Sequence, residues 1–334
     1  MVNVEGCLLK GQGSANKPIV HANPPECIAF LKKINGNIWN IANNHIMDCG
    51  REGLESTLRY AEENGVQTVG VGLDVQQAAK PVIIENDGAD IGIISLTQEE
   101  TPAATEDSEG VIQWDDLEKI ARMIAEVKIK CRWCVVIVHA GPEFCQLMPP
   151  SVRDIYRQYL DLGADVVVGH HPHVMQNYET VGNKIIFYSL GNFVFDTDYQ
   201  RLQKYTDQGV FVKIAFDKNG FTWDHQAMKI DRRSQTINPC ETPDIFTNVT
   251  AGQYALLWPL AMRDLYENER IKFGYLKPEL KGCSKKTWAA FYRQRVQKQP
   301  RWACISKGSR LYCLNLWRFG NKQVQNYIKG SMDR

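Results

Sequence analysis

No apolar run in these 334 residues approaches the ~20 needed to span a bilayer. The opening MVNVEGCLLKG has neither the charged head nor the apolar stretch of a signal peptide. The expectation is a cytoplasmic chain, with membrane association through its surface and an anchor upstream of Met1 left open. A cysteine framework is also missing: the ten cysteines, at 7, 27, 49, 131, 134, 145, 240, 283, 304 and 313, follow no spacing pattern in a chain too long to need staples. Free thiols are expected. The close pair Cys131-Arg-Trp-Cys134 leads into an apolar strand, whereas a thioredoxin-like pair follows a strand and opens a helix, so it is read as neither redox nor zinc chemistry.

Acidic residues are scarce in one place. From Ile271 to Arg334 there are 15 Lys and Arg against two acids, Glu279 and Asp333, a net charge of +13. The first 270 residues hold 24 basic and 36 acidic side chains, a net −12 hidden inside the overall +1. At 44% hydrophobic and 23% charged, the composition excludes a disordered or collagen-like chain.

Apolar runs alternate with helix-period segments through residue 195, the pattern of an α/β sheet protein. Strands are expected at Asn37 to Ile41, Gln67 to Val71, Val82 to Ile84, Ile91 to Leu96, Cys134 to Val138, Val166 to Val168 and Ile185 to Tyr188. Helices are expected at Glu26 to Lys33, Gly53 to Glu63, Asp115 to Lys128 and Val152 to Leu162. Pro81 to Leu96 reads as a hairpin around Asn86-Asp87-Gly88, and Gln98 to Gly110 as an acidic surface loop. A second hairpin, Gly209 to Phe216 with Phe221 to Ile230, is expected to close a sheet edge, with the body ending near residue 235.

Chemistry concentrates at three strand ends. Cys134 to Gly141 delivers His139, Asp165 to His173 delivers His170, His171 and His173, and Ile38 to Ile41 runs into Asn43-Asn44-His45 with Asp48 close behind. Carboxyl ends of strands are where open α/β sheets assemble sites. Neutral imidazoles with an amide oxygen suit manganese, iron, zinc or cobalt better than magnesium or calcium.

The blocks I-A-N-N-H-I-M-D-C-G at 41 to 50, I-V-H-A-G-P-E at 137 to 143, L-G-A-D-V-V-V-G-H-H-P-H-V at 162 to 174 and I-I-F-Y-S-L-G-N-F-V-F-D at 185 to 196, with V-N-V-E-G at 2 to 6, resemble the CapA-type capsule and poly-gamma-glutamate biosynthesis family (PGA_cap) of the calcineurin-like metallophosphatase superfamily. The resemblance covers roughly residues 2 to 230. It implies a four-layer α/β fold, two packed sheets flanked by helices, followed here by a basic helical extension. It further implies two divalent transition metal ions, manganese, iron or zinc, and metal-dependent phosphoester hydrolysis in capsule or exopolymer synthesis. Asn44, His139 and His171 would hold one metal and His173 the other, with Glu5 as the bridging carboxylate. His45 would protonate the leaving oxygen and Asp48 would orient it. His170 is a candidate substrate contact with packing as the alternative; Glu143 and Asn192 are candidate contacts to the ligands or to the substrate, with turn chemistry at a strand end as the alternative; His21 and His225 are left outside the site.

The family pattern begins with a strand ending in Gly-Asp whose aspartate binds the first metal, and no Gly-Asp precedes Val2. The expectation is an incomplete metallophosphatase-like domain over 1–235, with backbone groups of a central strand's neighbours left unpaired, and a C-terminal extension over 236–334. A non-catalytic polymer-handling protein with a degraded metal site is the alternative reading.

From residue 271 onward the cations are interleaved with ten aromatics, with helical spacing over Lys285 to Gln297. Such a face suits an anionic membrane surface, capsule machinery or a polyanionic substrate, or it covers the acidic body. No nucleic-acid module is recognisable in it.

Overall fold

The computed structural model describes residues 1–10, 20–98 and 100–276. The basic stretch beyond, including the helix expected over Lys285 to Gln297, lies outside the described residues. The chain opens with β1 (Val2–Asn3), β2 (Cys7–Leu8), β3 (Ala22–Asn23), α1 (Cys27–Lys33), β4 (Ile38–Asn40), α2 (Gly50–Glu63), β5 (Gln67–Val69), β6 (Val71–Gly72) and α3 (Val75–Ala79). It continues with β7 (Val82–Ile84), β8 (Ile91–Thr97), β9 (Gly110–Val111), α4 (Leu117–Lys130), β10 (Trp133–His139), α5 (Pro150–Asp161), β11 (Val166–His170), β12 (Tyr178–Val181) and β13 (Lys184–Phe187). The last elements are α6 (Asp198–Arg201), β14 (Gln208–Phe216), β15 (Phe221–Asp231), β16 (Thr236–Pro239) and α7 (Ala251–Leu276).

A six-stranded sheet, ordered β12-β13-β11-β10-β8-β7, forms the centre; its four inner strands are parallel and both edges antiparallel. All seven residues of β10 are buried, as an apolar run covered on both faces requires. Cys134, Val136 and Val138 pack with Ile120, Ile124 and Val127 of α4 and Tyr156 and Tyr159 of α5. Trp133, Val135 and Ile137 face the other way, onto Val69 of β5 and Val210 of β14. His139 shares their parity, so the strand aims its terminal imidazole between the sheets.

The layer opposite holds two small sheets, β1-β4-β5 and β14-β15-β16. Trp39 and Ile41 pack with Leu54 and Ala61 of α2, while Asn40 on the alternate face accepts a hydrogen bond from Ser95 Oγ of β8 at 2.5 Å. The succession is therefore helices, sheet, sheets, helices: the four-layer α/β arrangement that the resemblance implies. Each fully buried aliphatic side chain in these layers contributes about 1.5–3 kcal/mol of transfer free energy.

Three expectations change. The strand expected over Gln67 to Val71 breaks at Gly70, whose φ of +94° and close approach to Ala42 and Ser95 leave no room for a Cβ. The hairpin of β14 and β15 does not close an edge of the large sheet but builds its own sheet with β16. Packing also continues past residue 235: Phe246 enters the core between the sheets, Val249 N–H donates to Tyr178 O, and Tyr254 and Ala261 of α7 pack on Cys145 and Leu147. β1, where unpaired neighbours of a central strand were expected, pairs β4 on one side and is half-buried, as an edge strand. No helix of the described residues is long and apolar enough to cross a membrane. Cys131 and Cys134 are free and buried, and burial pushes the Cys134 thiol up to about 12.

Candidate metal centre

Four side chains from three strand ends and the segment after β1 converge on one point. His139 Nε2 stands 3.0 Å from Asn44 Oδ1, 3.3 Å from His171 Nδ1 and 4.0 Å from Glu5 Oε1. His173 Nε2 approaches the same Glu5 oxygen at 3.4 Å. His139 is wholly inaccessible, and Asn44, His171 and His173 are buried.

Local structure aims each group. Asn43 stitches the two segments together: its Oδ1 accepts from Gly6 N–H and its Nδ2 donates to Val4 O, so Glu5 is held beside the turn that carries Asn44. Glu100 Oε2 accepts from Asn44 Nδ2 at 3.2 Å, which leaves the amide oxygen toward His139. Beyond β11 the backbone of His171 and His173 is left-handed, φ +94° and +57°, a conformation that side chains with a Cβ rarely hold and that collects at functional sites. His173 Nδ1 lies 3.0 Å from Asn192 Oδ1, and the Asn192 amide donates to Gln200 and Thr206. Asn192 is thus occupied by protein partners and orients His173. His170 ends β11 opposite His139 in the parallel register, and Glu143 lies close enough to the pair His171 and His173 to act on their charge.

Electrostatics divides the imidazoles. Burial holds His139 well below the ordinary histidine value, lowers His171, and takes His170 down to about 4. His173 goes the other way: burial opposes its charge, but Glu5 outweighs burial and raises it to about 9. Glu5 answers: burial favours its neutral form, yet the charges of His173, His139 and His45 hold its carboxyl well below the usual range.

Whether a metal fits can be judged from the vectors. Two ligands about 2.1 Å from a shared ion, at tetrahedral or octahedral angles, lie about 3.0–3.4 Å apart. The spacings from His139 to Asn44 and His171 fall in that range and the 4.0 Å to Glu5 lies outside it, while Glu5 Oε1 is a buried carboxylate oxygen without a hydrogen-bond partner. No three His, Cys, Asp or Glu side chains among the described residues form a metal-holding group by themselves. The convergence therefore depends on the Asn44 amide oxygen. Gln98 sets a condition: its Oε1 accepts from Gly141 N–H, so its amide N–H points at His171 Nε2, 3.0 Å away. Donation to a metal through His171 Nδ1 needs the ring proton on Nε2 and the Gln98 amide turned over.

Beside this cluster, His45 Nδ1 lies 2.6 Å from Asp48 Oδ2, which leaves Nε2 as the nitrogen not bonded to Asp48. Sequence reasoning missed four neighbours. Gln98 and Thr101, assigned to a surface loop, are buried, Thr101 Oγ1 donating to Asn43 O. Glu100 joins them through Asn44. His21, set aside from the site, packs its ring edge-on to His45 with centroids 4.1 Å apart. No periodicity marks any of these positions. His225 lies on β15 against Thr242, outside the cluster, as expected.

Comparison with known proteins follows the same blocks. Residues 1–197 match the family model described as bacterial capsule synthesis protein PGA_cap. The PGA biosynthesis protein CapA of Bacillus subtilis (strain 168) is 34% identical over 69% of this chain and 60% of its own length. The capsule biosynthesis protein CapA of Bacillus anthracis is 30% identical over 63% of this chain and 52% of its own. The chain thus spans little more than half the length of these curated relatives. The solved 5'-nucleotidase from Candida albicans SC5314 covers 73% of this chain and 42% of its own at 11% identity, with a TM-score of 0.35, too low to equate the two structures. The matched span carries Glu5, the Asn44 turn and all the strand-end histidines, and the chain belongs to the bacterial capsule synthesis protein PGA_cap family.

Proposed function

We propose that this chain is a metal-dependent phosphoester hydrolase serving capsule or poly-gamma-glutamate synthesis. The observation that carries the reading is the convergence of Asn44 Oδ1, His139 Nε2, His171 Nδ1 and Glu5 Oε1 beside a partly exposed His45 backed by Asp48. Asn44, His139 and His171 would hold one divalent transition metal, manganese, iron or zinc, with Glu5 shared toward a second held by His173. When bound, such ions polarise phosphoryl oxygens and lower the pKa of water.

The protein groups supply orientation and a proton. Glu100 and Asn43 hold the Asn44 turn, Asn192 holds His173, and Gln98, with its amide turned over, would hold the His171 ring. In the reaction the oxygen of a water bonds to phosphorus and the phosphorus–oxygen bond to the leaving group breaks. The leaving oxygen takes the Nε2 proton of the His45 imidazolium, whose Nδ1–H donates to Asp48, while the proton shed by the attacking water passes to solvent, from which His45 is reprotonated. The family supports a phosphorylated or polyanionic substrate belonging to capsule synthesis.

The test is hydrolysis of an aryl phosphate with manganese, iron or zinc supplied, comparing wild type with His45→Ala. A loss of about 100-fold or more in kcat is expected if His45 is the general acid. Full activity in the variant removes that role, and no hydrolysis by wild type with any of the metals removes the enzymatic reading.

A further inference from the structure

His21 belongs to a short segment with no motif, yet it touches the proton-donating pair twice. Its backbone N–H donates to Asp48 Oδ2 at 3.0 Å, the same oxygen that lies 2.6 Å from His45 Nδ1. Its ring meets the His45 ring edge-on, centroids 4.1 Å apart at 72°, and meets Phe195 at 5.2 Å and 74°. We propose that His21 is a positioning residue for His45, holding Asp48 with its main chain and the His45 ring with its own; this rests on the reading of His45 as the proton donor.

The geometry explains why both contacts are needed. Asp48 is inaccessible, and His45 keeps a side-chain exposure of 14%, enough for its outer nitrogen to meet a leaving group. One hydrogen bond at Nδ1 fixes a ring's tautomer but leaves it free to tilt about that bond. An aromatic edge at van der Waals distance removes the tilt. His21 is itself anchored, since Cys7 N–H donates to its carbonyl and Gly6, with φ +87°, has that carbonyl only 2.4 Å from where a Cβ would stand. The segment that presents Glu5 and the segment that steadies His45 are therefore one braced unit. Phe195, which stacks on His173 at 4.7 Å, closes the far side of His21.

The experiment compares wild type, His21→Ala and His21→Phe in two measurements. The first is hydrolysis of phenyl phosphate, whose leaving group needs a proton, against dinitrophenyl phosphate, whose leaving group does not. His21→Ala should lose about 10-fold or more in kcat on phenyl phosphate while staying within about 3-fold on dinitrophenyl phosphate, and His21→Phe, which keeps a ring, should recover phenyl phosphate hydrolysis. Equal losses on both substrates, or no loss, overturn the inference. The second measurement needs no turnover: proton–nitrogen NMR of the His45 imidazole N–H held by Asp48, identified by its absence in His45→Gln. That resonance should be protected from exchange in wild type and His21→Phe and lose protection in His21→Ala. Unchanged protection in His21→Ala overturns the inference, whereas the expected pattern in a protein that hydrolyses neither substrate sustains it and overturns only the hydrolase reading.

Discussion

His171 Nδ1 and His139 Nε2 face one another at 3.3 Å, His139 from the last position of β10 and His171 from the residue that follows β11. The parallel pairing of β10 with β11 sets His139 opposite His170 and so brings the next residue, His171, to the same end of the sheet, where two candidate ligand nitrogens meet. Removing imidazoles there empties the cluster without touching the core below. Elemental analysis of protein grown with manganese, iron and zinc should find bound transition metal in wild type and at most about a tenth of it in the His171→Ala plus His173→Ala variant. Unchanged content would falsify the ligand assignment.

Gln98 gives a directional test of the same ring. Its amide N–H points at His171 Nε2. A carboxylate in its place accepts the Nε2 proton and frees Nδ1 as a lone pair. Gln98→Glu should therefore tighten metal binding and Gln98→Ala weaken it, by about 10-fold in each direction in a competition titration with a chelating dye. Both variants weakening alike would mean that the amide is in the orientation a metal needs.

Glu179 is buried and binds Arg153 through both oxygens, Nη2 at 2.6 Å and Nε at 2.9 Å, with Arg157 and the Tyr188 hydroxyl also on it. Arg153 in turn lies over the Tyr254 ring at 4.8 Å, which ties α5, β12 and α7 into one body. Glu179→Gln leaves a guanidinium largely buried and uncompensated. The expected loss is about 3–5 kcal/mol in chemical denaturation, and a loss under about 1 kcal/mol would mean the pair is screened as a surface pair is.

Burial pushes the thiols of Cys7 and Cys134 up to about 12, Cys49 adding to the effect at Cys7. A thiol with its pKa raised this far holds about one thiolate in ten thousand at pH 8. Iodoacetamide should therefore leave both unmodified in the native protein and label both after denaturation, read residue by residue by mass spectrometry. Rapid native labelling of Cys134 would contradict its packing inside β10.

The strand ends were legible because their signal is local. A run such as Cys134 to Val138 is too apolar to be anything but a covered strand, and the polar residue that ends it must then emerge at the sheet's edge. The same logic read β11 and the Asn44 turn. What stayed illegible was brought in over long distance by the backbone. His21 reaches Asp48 through an N–H that every residue but proline possesses. Thr101 is buried because its hydroxyl satisfies a carbonyl of the Asn43 turn, although its neighbours are acidic and turn-forming. The helix Ala251–Leu276 carries Pro259 and no clean apolar stripe, so nothing in its pattern announced that Tyr254 and Ala261 would close over Cys145 and Leu147.

The left-handed backbone at His171 and His173 sets local strain against side-chain contacts at two positions. Glycine would adopt either conformation freely, relieving about 1–3 kcal/mol of strain at each. At His173 the same glycine would also strip buried Glu5 of its 3.4 Å partner and empty the stack on Phe195, so the strained backbone is kept in place by what its own side chain holds.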